Sequence, residues 1–182
     1  MSWRLSEIVT HFWRYSYVLN VSQKDISHLI IEAPEEFNAD DLLNLEGDFD
    51  TIEIGWFKQG EGSPFMPDPI YSIKVDGTEN TALTIAFDCM FEPTWGDFYA
   101  KGGKTDHITN TAWNAGFTPD DDDSSGFDGS GDDDHIPVPN KHTSLPEATT
   151  VGLFLSGLTV LAARHLRRRV DSAGRATHFR YR

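Results

Sequence analysis

Trp13, Tyr15, Tyr17, Leu19 and Val21 recur at every second position, with Phe12, Arg14, Ser16, Val18 and Asn20 between them. Side chains that alternate with period two point to opposite faces of an extended strand. A strand with aromatics along one face needs other chain segments to cover that face. The alternation returns in residues 26–33, where Ile26, His28, Ile30 and Glu32 oppose Ser27, Leu29, Ile31 and Ala33. Residues 51–57, 70–75 and 82–89 repeat it, the last placing Leu83, Ile85, Phe87 and Cys89 on one side. Residues 94–100 and 111–117 predict two further strands, with Gly102-Gly103 turning between them. Asp76-Gly77 is a hairpin dipeptide.

The punctuation fits the same plan. Pro34 stops the second strand. Asn38 followed by Asp40 and Asp41 predicts an N-cap and one short helix over residues 39–45. Residues 60–69, rich in Gly and Pro, read as an irregular loop. Seven or so short strands with one short helix predict a mainly β chain, a single antiparallel β-sandwich of jelly-roll type spanning residues 11–117. A closed barrel is the alternative.

At residue 118 the composition changes. Eight Asp fall within residues 120–134, among Gly and Ser. Such a stretch cannot bury enough apolar surface to fold. Residues 118–144 are therefore expected to form an acidic disordered linker, continued by His135-Ile-Pro-Val-Pro-Asn as an extended spacer. Asp121, Asp123, Ser125 and Asp132 copy the oxygen spacing of a calcium loop, with Gly126 at the bend. Position twelve is Asp where Glu is usual, and no helices flank it, so the competing reading is a solvated acidic linker with at most weak Ca²⁺ association. No other cofactor is expected.

Beyond the linker, residues 148–163 contain no charged residue, and Arg164, Arg167, Arg168 and Arg169 follow at once. As a helix the run covers about 24 Å, short of a hydrocarbon core of about 30 Å. Arg164 and Arg167 can close the gap by snorkelling. Gly152 and Ser156, four apart, give a small-residue face. A buried core helix is the alternative. Residues 1–163 hold eight basic and 28 acidic residues, a net of −20. Seven of the 15 Lys and Arg lie from Arg164 onward, beside the single acid Asp171. The positive-inside rule then places the Arg end in the cytoplasm and the acidic body outside.

Leu145-Pro146-Glu147-Ala148, the apolar run and the arginines together resemble the PEP-CTERM sorting signal of Gram-negative bacteria. Ala148 stands where that motif has its second proline, and the basic tail, residues 170–182, is longer than usual. The resemblance implies recognition by exosortase, a membrane-embedded Cys-dependent processing enzyme, and cleavage near Pro146-Glu147. Segments of the body, residues 25–28, 95–103 and 112–117, also resemble uncharacterised PEP-CTERM cargo, which carries no known activity. An exported chain needs an apolar signal peptide. Residues 1–10 lack one, so it is expected upstream of Met1.

Composition narrows the function. The net charge of −14 argues against nucleic-acid binding. Cys89 is the only cysteine, so no intramolecular disulfide is available to an exported fold. The sequence holds no G-x-S-x-G elbow, H-E-x-x-H pair or phosphate loop. Cys89 with His28 or His107 would make a thiol–imidazole pair, but Cys89 falls on an apolar face and reads as inert, and His28 reads as a satisfied core histidine. Glu35 and Glu36 are adjacent and diverge. Trp95, Tyr99 and Trp113 are either core aromatics or a sugar-stacking platform. The expectation is a non-enzymatic protein, inserted in the membrane during sorting and then held at the cell surface or in the extracellular polysaccharide of a biofilm. The alternative is a carbohydrate-binding module acting on that polysaccharide.

Overall fold

The computed structural model describes residues 1–60, 62–105, 108–119 and 134–142. Among them the chain is mainly β and wholly antiparallel. The strands are β1 (Ser2–Val9), β2 (Phe12–Asn20), β3 (Ile26–Glu32), β4 (Leu43–Asp48), β5 (Ile52–Phe57), β6 (Ile70–Asp76), β7 (Ala82–Cys89), β8 (Phe91–Gly96), β9 (Phe98–Thr105), β10 (Ile108–Trp113) and β11 (Ile136–His142). One sheet runs β1-β2-β7-β4, a second β10-β9-β3-β6-β5, and a ribbon pairs β11 with β8.

The period-two residues meet where two sheets share a core. Tyr15, Tyr17 and Leu19 of β2 and Leu83, Ile85, Phe87 and Cys89 of β7 join Leu29 and Ile31 of β3 and Ile73 and Val75 of β6 in one buried cluster. Register explains the match: β2 pairs β7 from Trp13↔Cys89 to Asn20↔Ala82 without a break. Tyr15 and Phe87 stack at 5.4 Å. The buried phenols find acceptors, Tyr15 Oη donating to the Phe91 carbonyl at 3.0 Å and Tyr17 Oη to that of Pro137 at 2.8 Å. Burial holds both hydroxyls well above the ordinary tyrosine range.

The outer face of the five-stranded sheet is also covered. Ile30, Met66, Ile70, Tyr99 and Phe117 form a second cluster, with Phe57 against it. The segment between β5 and β6, expected to be an irregular loop, lies over this face. The Pro64 carbonyl accepts from Tyr99 Oη at 2.8 Å and the Gly62 carbonyl from Lys101 Nζ at 2.9 Å. β3 is therefore buried on both sides, and both of its alternating sets contribute to a core.

Several expectations need correction. The body begins before residue 11, because β1 pairs β2 through Trp3↔Tyr17 and Leu5↔Tyr15. The helix over 39–45 shrinks to one 3₁₀ turn, Ala39–Asp41. Its cap forms as expected, with Asn38 Oδ1 accepting from Asp40 N at 3.0 Å. Pairing with β7 then claims Leu43–Asp48 for β4. Asp76-Gly77 makes no hairpin, since β6 and β7 lie in different sheets. Gly77 N instead donates to Ser27 O at 2.9 Å, and a Cβ there would strike the Ile26 carbonyl. The strand over 94–100 breaks at Asp97 into β8 and β9. Gly102 and Gly103 run on inside β9 and make no turn. The strand over 111–117 ends at Trp113.

The linker over 118–144 requires the largest correction, because residues 136–142 are β11. It pairs β8 from Ile136↔Gly96 to His142↔Phe91. Pro137 and Pro139 are tolerated because each strand of a two-stranded ribbon is an edge. Ile136 and Val138 enter the main core. Gly116 N donates to the Asp134 carbonyl at 2.9 Å, so the chain on either side of the Asp-rich stretch is held at one place.

Candidate functional site

Pro146, Glu147, Arg164, Arg167, Arg168 and Arg169 of the sorting signal, its hydrophobic helix, and the calcium-loop residues Asp121, Asp123, Ser125 and Asp132 lie outside the described residues. The three aromatics lie within them, and they do not form one platform. Trp95 is 3% exposed and meets Trp3 edge-on at 6.1 Å. Tyr99 is fully buried under the segment between β5 and β6. Trp113, opposite Tyr99 in the β9–β10 register, stacks on it at 6.4 Å and 8° and alone keeps an accessible ring, 39% exposed. Their spacing in sequence hid the break at Asp97, which sends Trp95 to the ribbon and Tyr99 to the five-stranded sheet.

That break organises a polar cluster that sequence spacing could not reveal. Asp97, Asn114 and His135 are all buried. Asn114 Nδ2 donates to Asp97 Oδ1 and to the Asp134 carbonyl, while Asn114 Oδ1 accepts from Phe98 N at 2.8 Å. His135 Nδ1 lies 3.3 Å from Asp97 Oδ1, and Glu32 Oε2 accepts from Asp97 N at 2.8 Å. Gly116 gives the imidazole its seat, since a Cβ there would strike the ring. With backbone groups satisfied on every side, the cluster fastens β11 to the corner between β8 and β9. The signal that could have located it is the run Ile136-Pro-Val138, whose apolar residues alternate directly after His135.

An open cleft of about 300 Å³ lies between the end of β2 and the β9–β10 pair. Ala100, Gly102 and Ala112 leave room at its wall, and Ser22, Gln23, Asn110 and Thr111 bring hydroxyls and amides to it. Asn110 Nδ2 donates to the Gly103 carbonyl at 2.6 Å. Leu19, Val21, Ile26 and Lys101 complete its lining, and none of Trp95, Tyr99 and Trp113 belongs to it.

Two titratable groups stand apart from these features. Cys89 is buried in the main core, where burial pushes its thiol up to about 12. His28 belongs to the other sheet, so the two make no thiol–imidazole pair; His107 lies outside the described residues. His28 is 3% exposed, with Nδ1 3.3 Å from Ser27 Oγ and its ring 6.0 Å from that of Tyr99. Its Nε2 has no hydrogen-bond partner, so this core histidine is only half satisfied. Burial, reinforced by Lys101 and Lys74, lowers its pKa to about 4. Among the described residues no three His, Cys, Asp or Glu side chains are grouped to hold a metal ion. No protein-family model, curated protein or solved structure matches this chain.

Proposed function

We propose that this chain is a non-enzymatic exported protein of the cell surface or extracellular matrix, sorted through a C-terminal PEP-CTERM-like signal and cut there by exosortase. One observation supports the reading above others: β11 closes the body at His142, and only Thr143 and Ser144 separate it from Leu145. A cut near Pro146-Glu147 removes the apolar run and the arginines and leaves every described strand intact. The β2–β7 and β3–β6 pairs, nested with β4 beside β7 and β5 beside β6, are read here as a jelly-roll-like arrangement.

Fractionation tests the proposal. A chain expressed with its upstream start restored and a tag at each end should leave the N-terminal tag outside the cell and lose the C-terminal one. Retention of both tags on one cytosolic species would refute it. Polysaccharide binding is the second reading, favoured by the amides and hydroxyls of the Gln23–Asn110 cleft. Loss of polysaccharide retention in Asn110→Ala, with Trp113→Ala unaffected, would support it.

A further inference from the structure

Among the described residues, the core is left open on one side of the body. β4 ends the four-stranded sheet and β5 ends the five-stranded sheet. Between them runs a groove of about 410 Å³ lined by Ala39, Leu42, Leu45, Ile52, Ile54 and Tyr71. Leu42, Ile52, Ile54 and Tyr71 pack on the main core, so the floor of the groove is the core itself. Leu45 is 39% exposed at the rim, and Trp56, 60% exposed, stands edge-on to Tyr71 at 6.0 Å. Large apolar side chains left in water around an open groove mark a surface that gains free energy when covered.

Charge states what covers it. From Glu32 to Phe57, the stretch that supplies every one of these groove residues except Tyr71, the chain has nine carboxylates and no Lys or Arg. Arg14 and Lys74 reach in from β2 and β6 to Glu46 and Glu53. Glu35, Glu36, Asp40, Asp48 and Asp50 of the same stretch are exposed. A second copy would bring the same acidic surface, on a body whose residues 1–163 carry −20. Anionic lipid would be repelled equally. The complementary partner is apolar and cationic.

The backbone states its shape. β5 pairs β6 without a register break from Ile52↔Val75 to Phe57↔Ile70, and its other edge ends the sheet. β4 is a poorer template, interrupted by a register shift and by Asn44 at φ 46°. A regular open edge beside an apolar groove accepts an added strand, whose alternate side chains enter the groove while its backbone completes the ladder.

We propose that the β4–β5 groove docks an extended segment of another protein, with alternating apolar side chains and Lys or Arg between them, added as a strand along β5. The inference is independent of how the chain is sorted.

The test uses the full chain and a dye-labelled peptide of about ten residues alternating Lys and Val, long enough to span one strand. Fluorescence anisotropy should show saturable binding that weakens as salt rises. Trp56→Ser and Leu45→Arg change exposed side chains, and circular dichroism checks that each variant folds; each should weaken binding roughly tenfold or more. An alternating Glu-Val peptide should not bind, and two adjacent central prolines in the Lys-Val peptide should abolish binding, because one of them must face β5 with no N–H to give the ladder. Absent binding of the Lys-Val peptide, equal binding of the Glu-Val peptide, or unchanged affinity in Leu45→Arg would overturn the proposal. So would a dimer in sedimentation that Trp56→Ser dissolves, or capture by anionic vesicles that the same variant abolishes.

Discussion

Acidification should destabilise this protein through one histidine before its many carboxylates begin to protonate. His28 lies buried on the outer face of the five-stranded sheet, with Lys101 and Lys74 disfavouring its charged form and Asp76 favouring it. Its pKa falls from 6.5 to about 4. A folded state that resists protonation binds fewer protons than the unfolded chain, so stability drops as pH falls. The contribution is fully present above about pH 6.5 and is lost progressively toward pH 4. Linkage over that interval gives a total of about 3 kcal/mol, and about 2 kcal/mol between pH 7 and pH 5. His28→Gln removes the titration. Urea unfolding of both proteins at pH 7 and pH 5 isolates the effect as a difference, because most carboxylates remain ionised at pH 5. The wild-type chain should lose about 2 kcal/mol more than the variant. Equal losses would refute the reasoning, as would a His28 ring whose NMR titration is centred near 6.5.

Three further perturbations test the packing. Phe87→Ala removes the ring shared by Tyr15, Tyr17 and Phe37 and should cost about 3–5 kcal/mol in urea unfolding. Tyr17→Phe deletes the hydrogen bond to Pro137 and should cost about 1 kcal/mol. Its amide exchange should quicken at residues 136, 138, 140, 141 and 142, the non-proline amides of β11, more than in β7. Gly116→Ala drives a methyl group into the His135 ring and should free β11, read as faster proteolysis between residues 134 and 142 with β2 and β7 still protected.

How far the sequence predicts the fold depends on whether a strand has one wet face. β2 and β7 were legible because Tyr15, Tyr17, Leu83, Ile85 and Phe87 alternate with less buried or smaller residues and meet in unbroken register. β3 carries apolar residues on both sides, so its pattern located the strand without saying which set faced the main core. The second cluster around Tyr99 and Met66 was invisible, since Met66 sits in a Gly- and Pro-rich stretch that no periodicity marks. β1 is exposed along nearly its whole length, leaving only Trp3 and Leu5 as a signal. At the candidate sites, the platform of Trp95, Tyr99 and Trp113 assumed one continuous strand, and the turn at Asp97 divides it. Asp97, Asn114 and His135 stand 17 and 21 residues apart, too far for local spacing to unite them.

The strand hidden in the expected spacer changes what the acidic stretch contributes. Prolines and neighbouring aspartates made residues 135–140 look solvated, yet Ile136 and Val138 are buried and Tyr17 bonds Pro137 from the far side of the core. The Asp-rich chain therefore starts and ends at the same corner, where Gly116 N meets the Asp134 carbonyl. Closing a chain stretch of that length opposes folding by about 3 kcal/mol. The buried contacts of β11 and the bonds of Asp97, Asn114 and His135 offset it. A stretch whose two ends coincide lends no reach between the body and the residues after His142. On the sorting reading, only residues 143–145 then separate β11 from Pro146 in the chain.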